Sequence, residues 1–244
     1  MAPLRKIGRR SLLAGLPAAT LGVGVASARA EAAGLAVTCD TTLAPVLRIL
    51  GAAYRARSGV PVFVFPTGPG LILPQLLRDI QNDIVVTQVA ILDQAAQAGV
   101  IASAPRGRTW HNSLVVAGVR GTSATDRTFA VCDPSPASDI DGPALLAQLG
   151  LQPAHVLGAV DTDEVAFLLT TGSAQAGLLH MTDVRADQRL TVIRPVPADI
   201  RAPIVYAASV TRLARRPDPH DFIAFLATPV ADRLLGSNGL EVHA

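Results

Sequence analysis

The sequence predicts an α/β fold, because short apolar runs alternate along the chain with stretches of helical periodicity. Residues 35–70 show this pattern twice: a strand, a Thr-Thr turn and a helix are followed by a strand, a Gly-rich turn and a helix. Successive units of this kind place parallel strands side by side, with their carboxyl ends at one edge of the sheet. The residues after position 30 are numerous enough for one large core or for two smaller lobes.

The individual elements follow from the spacing of apolar residues and from boundary signals. The first helix covers residues 43–58 and ends at Gly59, a C-terminal cap signal. One face of this helix carries its apolar residues, Leu43, Val46, Leu47, Leu50 and Tyr54. The predicted strands are 35–38, 61–65, 84–87, 114–119, 128–132, 176–180, 191–194 and 202–208. The other predicted helices are 71–80, 92–98, 143–149, 163–171, 220–227 and 229–235.

The first thirty residues have the features of an export signal that is removed from the mature protein. Basic residues precede an apolar run from Leu12 to about Val25, which is shorter than the roughly 20 residues that a bilayer requires. The order Arg9-Arg10-Ser11-Leu12-Leu13 resembles a twin-arginine signal, and Ala28-Arg29-Ala30 has the small-x-small pattern of a cleavage site. We therefore expect a periplasmic protein that is cleaved near Ala30.

Removal of this leader changes the net charge of the protein. The leader holds five of the 21 Lys and Arg residues and no acid, which leaves 16 basic residues against 19 acidic ones, a charge of −3 instead of +2. No basic patch with interleaved aromatic residues remains, so nucleic acid is not an expected partner. The sequence also has no nucleophile elbow, His-Glu-x-x-His motif or P-loop, so we do not expect an enzyme.

The turns after the first two predicted strands suggest a binding site for a small anion. Thr41 and Thr42 follow the first strand, and Gly68-Pro69-Gly70 follows the second, each just before a helix. A helix N-terminus has unpaired N–H groups and a partial positive charge, which favour a bound anion. Both turns are expected at the same edge of the sheet, where they would form one wall of a cleft.

A series of short motifs extends over nearly all of residues 34–240. In chain order they are Thr41-Thr42-Leu43, Pro66-Thr67-Gly68-Pro69-Gly70-Leu71, Asn82-Asp83-Ile84-Val85-Val86-Thr87, Trp110-His111-Asn112-Ser113-Leu114-Val115-Val116, Asp133-Pro134, Gly177-x-x-His180-x-x-Asp183 and Pro203-Ile204-Val205-Tyr206. By their order, the chain resembles the molybdate- and tungstate-binding periplasmic receptors of ABC importers.

The resemblance implies a two-lobed Venus-flytrap fold, that of the type II periplasmic binding proteins. Each lobe would be a mixed sheet flanked by helices, and two hinge crossings would join the lobes. Residues 31–117 and 203–244 would form the first lobe, and residues 118–202 the second. The resemblance further implies a monomer that captures a molybdate-like oxyanion, without a cofactor, and delivers it to the membrane subunits of an ABC importer.

In that family, hydroxyls and backbone N–H groups hold the oxyanion. Carried over by position, the resemblance assigns ligand contacts to Thr41, Thr42, Thr67, Gly68, Ser138, Thr162, Asp163 and His180. His180 stands where the family has a tyrosine, and an imidazole has a shorter reach and is expected to titrate near neutrality. Pro69 also removes one backbone donor from the second turn. These departures leave the identity of the oxyanion open.

Acidic residues crowd the same turns, and most of them are expected to cap helices. They are Asp40, Asp133, Asp139, Asp141, Asp161, Asp163 and Glu164. An Asp at the N-cap or in the first turn accepts hydrogen bonds from free N–H groups and complements the helix dipole. Asp40 is the exception, because it lies directly beside the first predicted hydroxyl ligand and would repel a dianion or attract a cation.

Two other functions stay open at this point. Cys39, Cys132 and His180 each end a predicted strand and would suit copper or zinc if they met in the cleft. In the simpler interpretation the two cysteines are small buried apolar residues, while an exported protein could also join them in a disulfide. The second alternative is a sensory or accessory periplasmic protein that does not take part in transport.

Overall fold

Two mixed β-sheets organise the part of the chain that the computed structural model describes, residues 34–78, 82–102, 108–121, 128–135, 138–214 and 218–243. In chain order the elements are β1 (Leu35–Asp40), α1 (Ala44–Ser58), β2 (Val62–Thr67), α2 (Pro69–Leu77), β3 (Ile84–Gln88), α3 (Val89–Gln97), β4 (Thr109–Asn112), β5 (Leu114–Val119), β6 (Thr128–Cys132), α4 (Gly142–Gln148), β7 (His155–Ala159), α5 (Thr162–Thr170), β8 (Ala176–His180), α6 (Met181–Ala186), β9 (Leu190–Pro195), β10 (Ile204–Val210), α7 (Asp218–Leu226), α8 (Pro229–Ser237) and β11 (Leu240–His243). The predicted export signal, residues 1–30, lies outside the described residues.

The first sheet has the strand order β11-β4-β10-β3-β1-β2. Strand β1, next to the edge strand β2, runs parallel to β2 and β3, whereas β10 runs antiparallel to β3 and β4. The second sheet has the order β7-β6-β8-β5-β9, in which β6 is parallel to β7 and β8 and β5 is antiparallel to β8 and β9. The prediction of two lobes, each with a mixed sheet and flanking helices, is confirmed.

The chain passes twice between the two sheets. The first crossing is at Ser113, between the end of β4 and the start of β5, and the second lies between Pro195 and Ile204. Since β5 belongs entirely to the second sheet, the first crossing lies a few residues before the predicted one. Both crossings are short, so they keep the two sheets adjacent.

Each sheet has its own hydrophobic core. Helices α1, α7 and α8 cover one face of the first sheet, around the buried side chains of Leu35, Val37 and Phe222, while α2 and α3 cover the other face around Val85. The second sheet has a core that α4 and α5 help to build, with Val131 and Val165 at zero exposure. Burial of so many aliphatic side chains supplies most of the driving force for folding.

The first strand–turn–helix unit forms as the sequence predicts. β1 ends at Asp40, a 3-10 turn covers Thr41–Leu43, and α1 begins at Ala44 with Pro45 in its first turn, where a missing N–H costs nothing. All five residues of the predicted apolar face of α1 are buried. Gly59 ends the helix with a φ of 78°, a left-handed conformation that a residue without a Cβ adopts readily.

Several elements depart from the prediction. The strands β7 and β11 and the short helix α6 were not predicted, and α3 begins at Val89, three residues earlier than expected. Among the described residues, no helix is both long and apolar enough to cross a membrane.

Candidate functional site

Polar side chains from both sheets meet where β1 and β8 end. Asp40 is the last residue of β1, Thr42 lies in the turn that follows, and His180 is the last residue of β8. All three are buried, with 2–3% of their surface exposed. Burial of a polar group without a hydrogen-bond partner costs free energy. The partners of these side chains, and the atoms that lack one, therefore indicate what kind of ligand the site can bind.

A chain of hydrogen bonds links Thr42 of the first sheet to the start of α6. The Thr42 hydroxyl donates to Oδ1 of Asp183 at 2.6 Å and lies 2.7 Å from the hydroxyl of Thr182. The amide Nδ2 of Asn112, in β4, donates to Oγ1 of Thr182 at 2.8 Å. Since the Asp183 carboxylate only accepts, the donors point in one direction, from Asn112 through Thr182 and Thr42 to Asp183.

His180 is held between two carboxylates. Its backbone N–H donates to Oδ2 of Asp183 at 3.0 Å, its Nδ1 lies 3.2 Å from the same oxygen, and its Nε2 lies 3.4 Å from Oδ1 of Asp139. Burial alone would lower the pKa of His180, but the charges and hydrogen bonds of Asp139 and Asp183 outweigh it and raise the pKa to about 10. The surroundings of His180 therefore favour the imidazolium form at neutral pH, in contrast to the expectation that it titrates near neutrality.

Asp139 lies in the loop before α4 and contacts residues from several segments. Its Oδ2 accepts from Nε2 of Gln88 at 3.2 Å and lies 3.7 Å from Nη2 of Arg201, which also donates to the Asp139 carbonyl at 3.1 Å. Burial would raise the pKa of Asp139, but the charge of His180 lowers it below the usual value. A surface pocket of about 700 Å³ runs alongside and is lined in part by Gln88 and Arg201. Solvent therefore reaches the edge of this contact network.

Asp40 faces the same group but lacks a complete set of partners. Its Oδ2 is buried and accepts no hydrogen bond. Burial and the nearby charge of Asp139 raise the pKa of Asp40 to about 7, against the opposing effect of His180. Two further buried oxygens, Oγ1 of Thr87 and the hydroxyl of Tyr206, also lack a hydrogen-bond partner. Nε2 of His180 and Nε of Arg201 also lack one, so five buried polar atoms of these residues have no hydrogen-bond partner.

The structure brings only part of the predicted site together. Thr42 and His180 share a partner in Asp183, whereas Thr41 is only half-buried in the turn beside them. Thr67 pairs with Asp40 across neighbouring strands, but its hydroxyl donates to Oε1 of Gln75 at 3.3 Å. Their roles as ligand contacts therefore stay predictions.

The remaining predicted contacts lie at helix starts and in one loop. Gly68 is the N-cap of α2, and Ser138 accepts from the N–H of Ile140 at 3.1 Å within its own loop. Thr162 is buried at the first position of α5. Asp163 follows it at an exposed position, and partial burial together with the charge of Asp183 raises its pKa. These residues are placed at turns as predicted, and their contacts with a ligand remain predictions.

Sequence reasoning missed some residues of the site and assigned others to capping. Asp141 and Asp161 cap α4 and α5 as expected, accepting from the N–H groups of Ala144 and Glu164. Asp139 does not cap a helix and pairs with His180 instead. Thr182, Gln88, Arg201 and Tyr206 were not predicted as site residues: Tyr206 ends one of the quoted motifs but was given no ligand role, and the other three look like ordinary helix, strand or loop residues.

Both cysteines are free and belong to the hydrophobic cores. Because side chains alternate along a strand, Cys39 points into the first core while its neighbour Asp40 faces the site. Burial raises the pKa of the Cys39 thiol far above its usual value and that of Cys132 to about 12. In the described part of the chain, no three His, Cys, Asp or Glu side chains are grouped so that they could hold a metal ion, and Cys39, Cys132 and His180 do not form such a set.

Comparison with protein families gives a match over most of the chain. The family described as bacterial extracellular solute-binding protein matches residues 35–241. A relative, the molybdate-binding protein ModA of Haemophilus influenzae, is 28% identical over 74 residues. That match covers 30% of this chain and only 29% of the relative's length.

Solved structures of low sequence identity share the fold. The periplasmic molybdate-binding protein of Azotobacter vinelandii superimposes with a TM-score of 0.71 at 16% identity, over 86% of this chain and 100% of that one. The sulfate-binding protein SubI of Mycobacterium tuberculosis gives a TM-score of 0.63, also at 16% identity, over 85% of this chain and 86% of that one. Both support the two-lobed fold of the type II periplasmic binding proteins.

Proposed function

The chain belongs to the bacterial extracellular solute-binding protein family, and we propose that it captures a small oxyanion between its two sheets for delivery to an ABC importer. One observation carries the choice of an oxyanion. Donors from both sheets converge on a carboxylate: the Thr42 hydroxyl on one side, and the backbone N–H and imidazolium of His180 on the other, all bind Asp183. The two walls therefore already present a donor set suited to negatively charged oxygens.

The charge at this place supports an anionic solute. With its pKa raised to about 10, His180 carries a positive charge at neutral pH at only 2% exposure. Arg201 adds a second cation beside Asp139. A desolvated oxyanion gains about 1.5–3 kcal/mol from each charge-assisted hydrogen bond, so a few such contacts support micromolar binding.

The proposed relation to transport rests on the family and on similar proteins. The relatives named above are described as binding molybdate or sulfate, and both ions are small tetrahedral oxyanions. At these identities they support the class of ligand and do not identify the ion. We further propose that the protein acts outside the cytoplasm, without a cofactor, as a monomer that docks on the membrane subunits of the importer.

We propose that the two sheets close on the bound solute, as a ligand-driven change from an open to a closed conformation. Thr42 and Gln88 of the first sheet bond to Asp183 and Asp139 of the second. A solute that contacts both walls favours the closed arrangement by its differential affinity for it. Since both thiols lie inside the cores, no contact in the described residues favours the metal-binding alternative.

A ligand panel tests the proposal directly. Molybdate, tungstate, sulfate and phosphate are added singly to the purified mature protein, and thermal shift and calorimetric titration are recorded. We expect at least one oxyanion to raise Tm and to bind with a Kd in the micromolar range or below, and Thr42→Ala to weaken that binding by about tenfold or more.

Thr171→Val is the matched control, because Thr171 is exposed at the end of α5 and bonds only within its own helical turn and to Ser173. It should bind like the wild type. If none of the four oxyanions shifts Tm or produces heat of binding, the proposed ligand class is wrong. If an oxyanion binds equally well to Thr42→Ala, the assignment of the site is wrong.

A further inference from the structure

We infer that the oxyanion captured here keeps at least one proton, as hydrogenphosphate and hydrogenarsenate do, and that Asp40 selects it by accepting that proton in a hydrogen bond. This inference rests on the proposed function and narrows the substrate class of the same site. It predicts that sulfate, which has the same tetrahedral shape but no proton, is a poor ligand.

The first support is the unsatisfied carboxylate oxygen of Asp40. The residue is 3% exposed, and its Oδ2 has no hydrogen-bond partner. A buried polar atom of this kind is costly unless something binds it. An ionised carboxylate only accepts hydrogen bonds. A ligand that satisfies Oδ2 must therefore bring a donor.

The charges around Asp40 leave its carboxylate without a counter-charge. Three carboxylates, those of Asp40, Asp139 and Asp183, face the two cations His180 and Arg201. Two carboxylates are thus compensated, and the third has no counter-charge. A fully deprotonated dianion would set acceptor against acceptor in a desolvated place, whereas hydrogenphosphate, with the same charge, brings a donor. A shared proton converts this repulsion into a short, strong hydrogen bond.

Two hydroxyls on neighbouring strands are also unsatisfied. Thr87 is at the end of β3, the strand beside β1, and Tyr206 is in β10 next to β3. Both hydroxyl oxygens are buried without a partner. Burial, followed by the charges of Asp40, Asp139 and Asp183, raises the pKa of Tyr206, so its hydroxyl stays protonated and can donate. Tyr206 belongs to the core on the face of the first sheet that carries Val86, and Thr87 lies on the opposite face of β3, so the two hydroxyls are separate donors near the edge of the sheet.

The titration of Asp40 makes the selection depend on pH. Four groups act on its carboxyl, Asp139 from the loop before α4, His180 from β8, Asp183 from α6 and Gln88 from β3, and Asp40 in turn acts on Tyr206 in β10. Its pKa is raised to about 7. Above this value Asp40 is ionised and accepts only. Below it, Asp40 is protonated and can donate to an ion that has no proton, so the discrimination against sulfate should weaken.

The test compares phosphate with sulfate by calorimetric titration at about pH 8.5, where Asp40 is ionised. In the wild type we expect phosphate to bind at least about 100-fold more tightly than sulfate, because a site with an unpaired buried acceptor rejects a ligand that lacks the donor. In Asp40→Asn the amide can donate to sulfate, and we expect the ratio to fall below about tenfold. Asp221→Asn, on the exposed face of α7, is the matched control and should keep the wild-type ratio.

Circular dichroism checks that the variants fold.

A second measurement needs no variant: the affinity of the wild type for sulfate should rise at least about tenfold between pH 8.5 and pH 5.5, as Asp40 becomes protonated. Equal affinity for the two ions in the wild type at pH 8.5, or a sulfate affinity that does not change with pH, overturns the inference and leaves the proposed function intact. Failure of both ions, and of molybdate and tungstate, to bind overturns the proposed function as well.

Discussion

The hydroxyl of Thr42, in the turn after the first strand, donates a hydrogen bond of 2.6 Å to Oδ1 of Asp183, which lies 141 residues further along the chain. The two residues belong to different sheets, and the same carboxylate also binds the backbone N–H and the ring of His180. Asp183 thus collects donors from both walls of the candidate site. Asp183 lies in the first turn of α6, and its carboxylate both accepts from the N–H of the residue before the helix and links the two sheets.

The first prediction concerns this link. Thr42→Val keeps the shape of the side chain and removes the hydroxyl, so Asp183 loses a buried donor. We expect the free energy of unfolding to fall by about 1–3 kcal/mol, the usual cost of leaving a buried acceptor unpaired. Urea denaturation followed by circular dichroism measures the change.

Thr171→Val serves as the control, because its hydroxyl is exposed and bonds only locally. Its effect should stay within about 0.5 kcal/mol. An equal loss in the two variants would contradict the importance assigned to the link between Thr42 and Asp183.

The second prediction concerns the charge of His180. Asp139→Asn removes one of the two anions that hold its proton, so the pKa of His180 should fall from about 10. The wild type gains stability from this proton: the gain is complete below the unfolded value of 6.5 and is lost as pH rises toward about 10. In Asp139→Asn that loss should occur at lower pH.

NMR titration of the imidazole resonances of the folded protein measures the pKa of His180 directly. Asp221→Asn, on the surface of α7, should leave it unchanged. A His180 resonance that titrates at the same pH in Asp139→Asn as in the wild type would show that Asp139 does not hold its proton.

The third prediction concerns packing in the second sheet. Gly177 lies in β8, and a Cβ there would come within 2.7 Å of the Ala130 carbonyl oxygen and 2.8 Å of Cγ1 of Val165. Gly177→Ala should therefore lower the free energy of unfolding by about 1–3 kcal/mol, as overpacking does. Chemical denaturation measures it.

Gly236, in α8, provides the opposite case. Apart from its chain neighbours and the backbone of its own helix, no described atom lies within 4 Å of a Cβ placed there. Gly236→Ala should raise stability by up to about 1 kcal/mol, because alanine favours the helix. The prediction fails if both substitutions change stability in the same direction.

The fourth prediction concerns the two thiols. Cys39 and Cys132 are fully buried, and burial raises the pKa of both, so neither is a reactive thiolate in the folded state. Reaction with a disulfide reagent such as DTNB should be very slow in buffer and should release two thiols per chain in guanidinium chloride. Rapid reaction of either cysteine in the folded protein, or fewer than two thiols after unfolding, would contradict the placement of both as free core residues.

Local patterns predicted much of the fold correctly. The apolar face of α1 follows from a spacing of three and four residues, and Gly59 ends that helix as expected. The strand β7 was missed because its residues are largely exposed and it forms by pairing with β6, from Thr128 opposite His155 to Cys132 opposite Ala159. Helix α6 has six residues, too few to show a helical period.

The candidate site was predicted only in part, for a similar reason. Asp141 and Asp139 look alike in the sequence, yet the first caps a helix and the second pairs with His180 across a gap of 41 residues. The difference depends on the path of the loop before α4. It also depends on β8, whose last residue His180 lies next to this loop. The local sequence around Asp139 encodes neither the path of the loop nor the position of β8.

The amino-acid sequence by itself determined the α/β class, the strand–turn–helix unit at residues 35–70 and the placement of hydroxyls and a histidine at strand ends, because these follow from the spacing of neighbouring residues. The tertiary structure decided that Thr42 meets Asp183, that His180 lies between two carboxylates, and that Asp40 rather than Cys39 faces the site. These contacts join residues far apart in the chain. The shifts in the pKa values of these residues therefore arise only once the two sheets have come together.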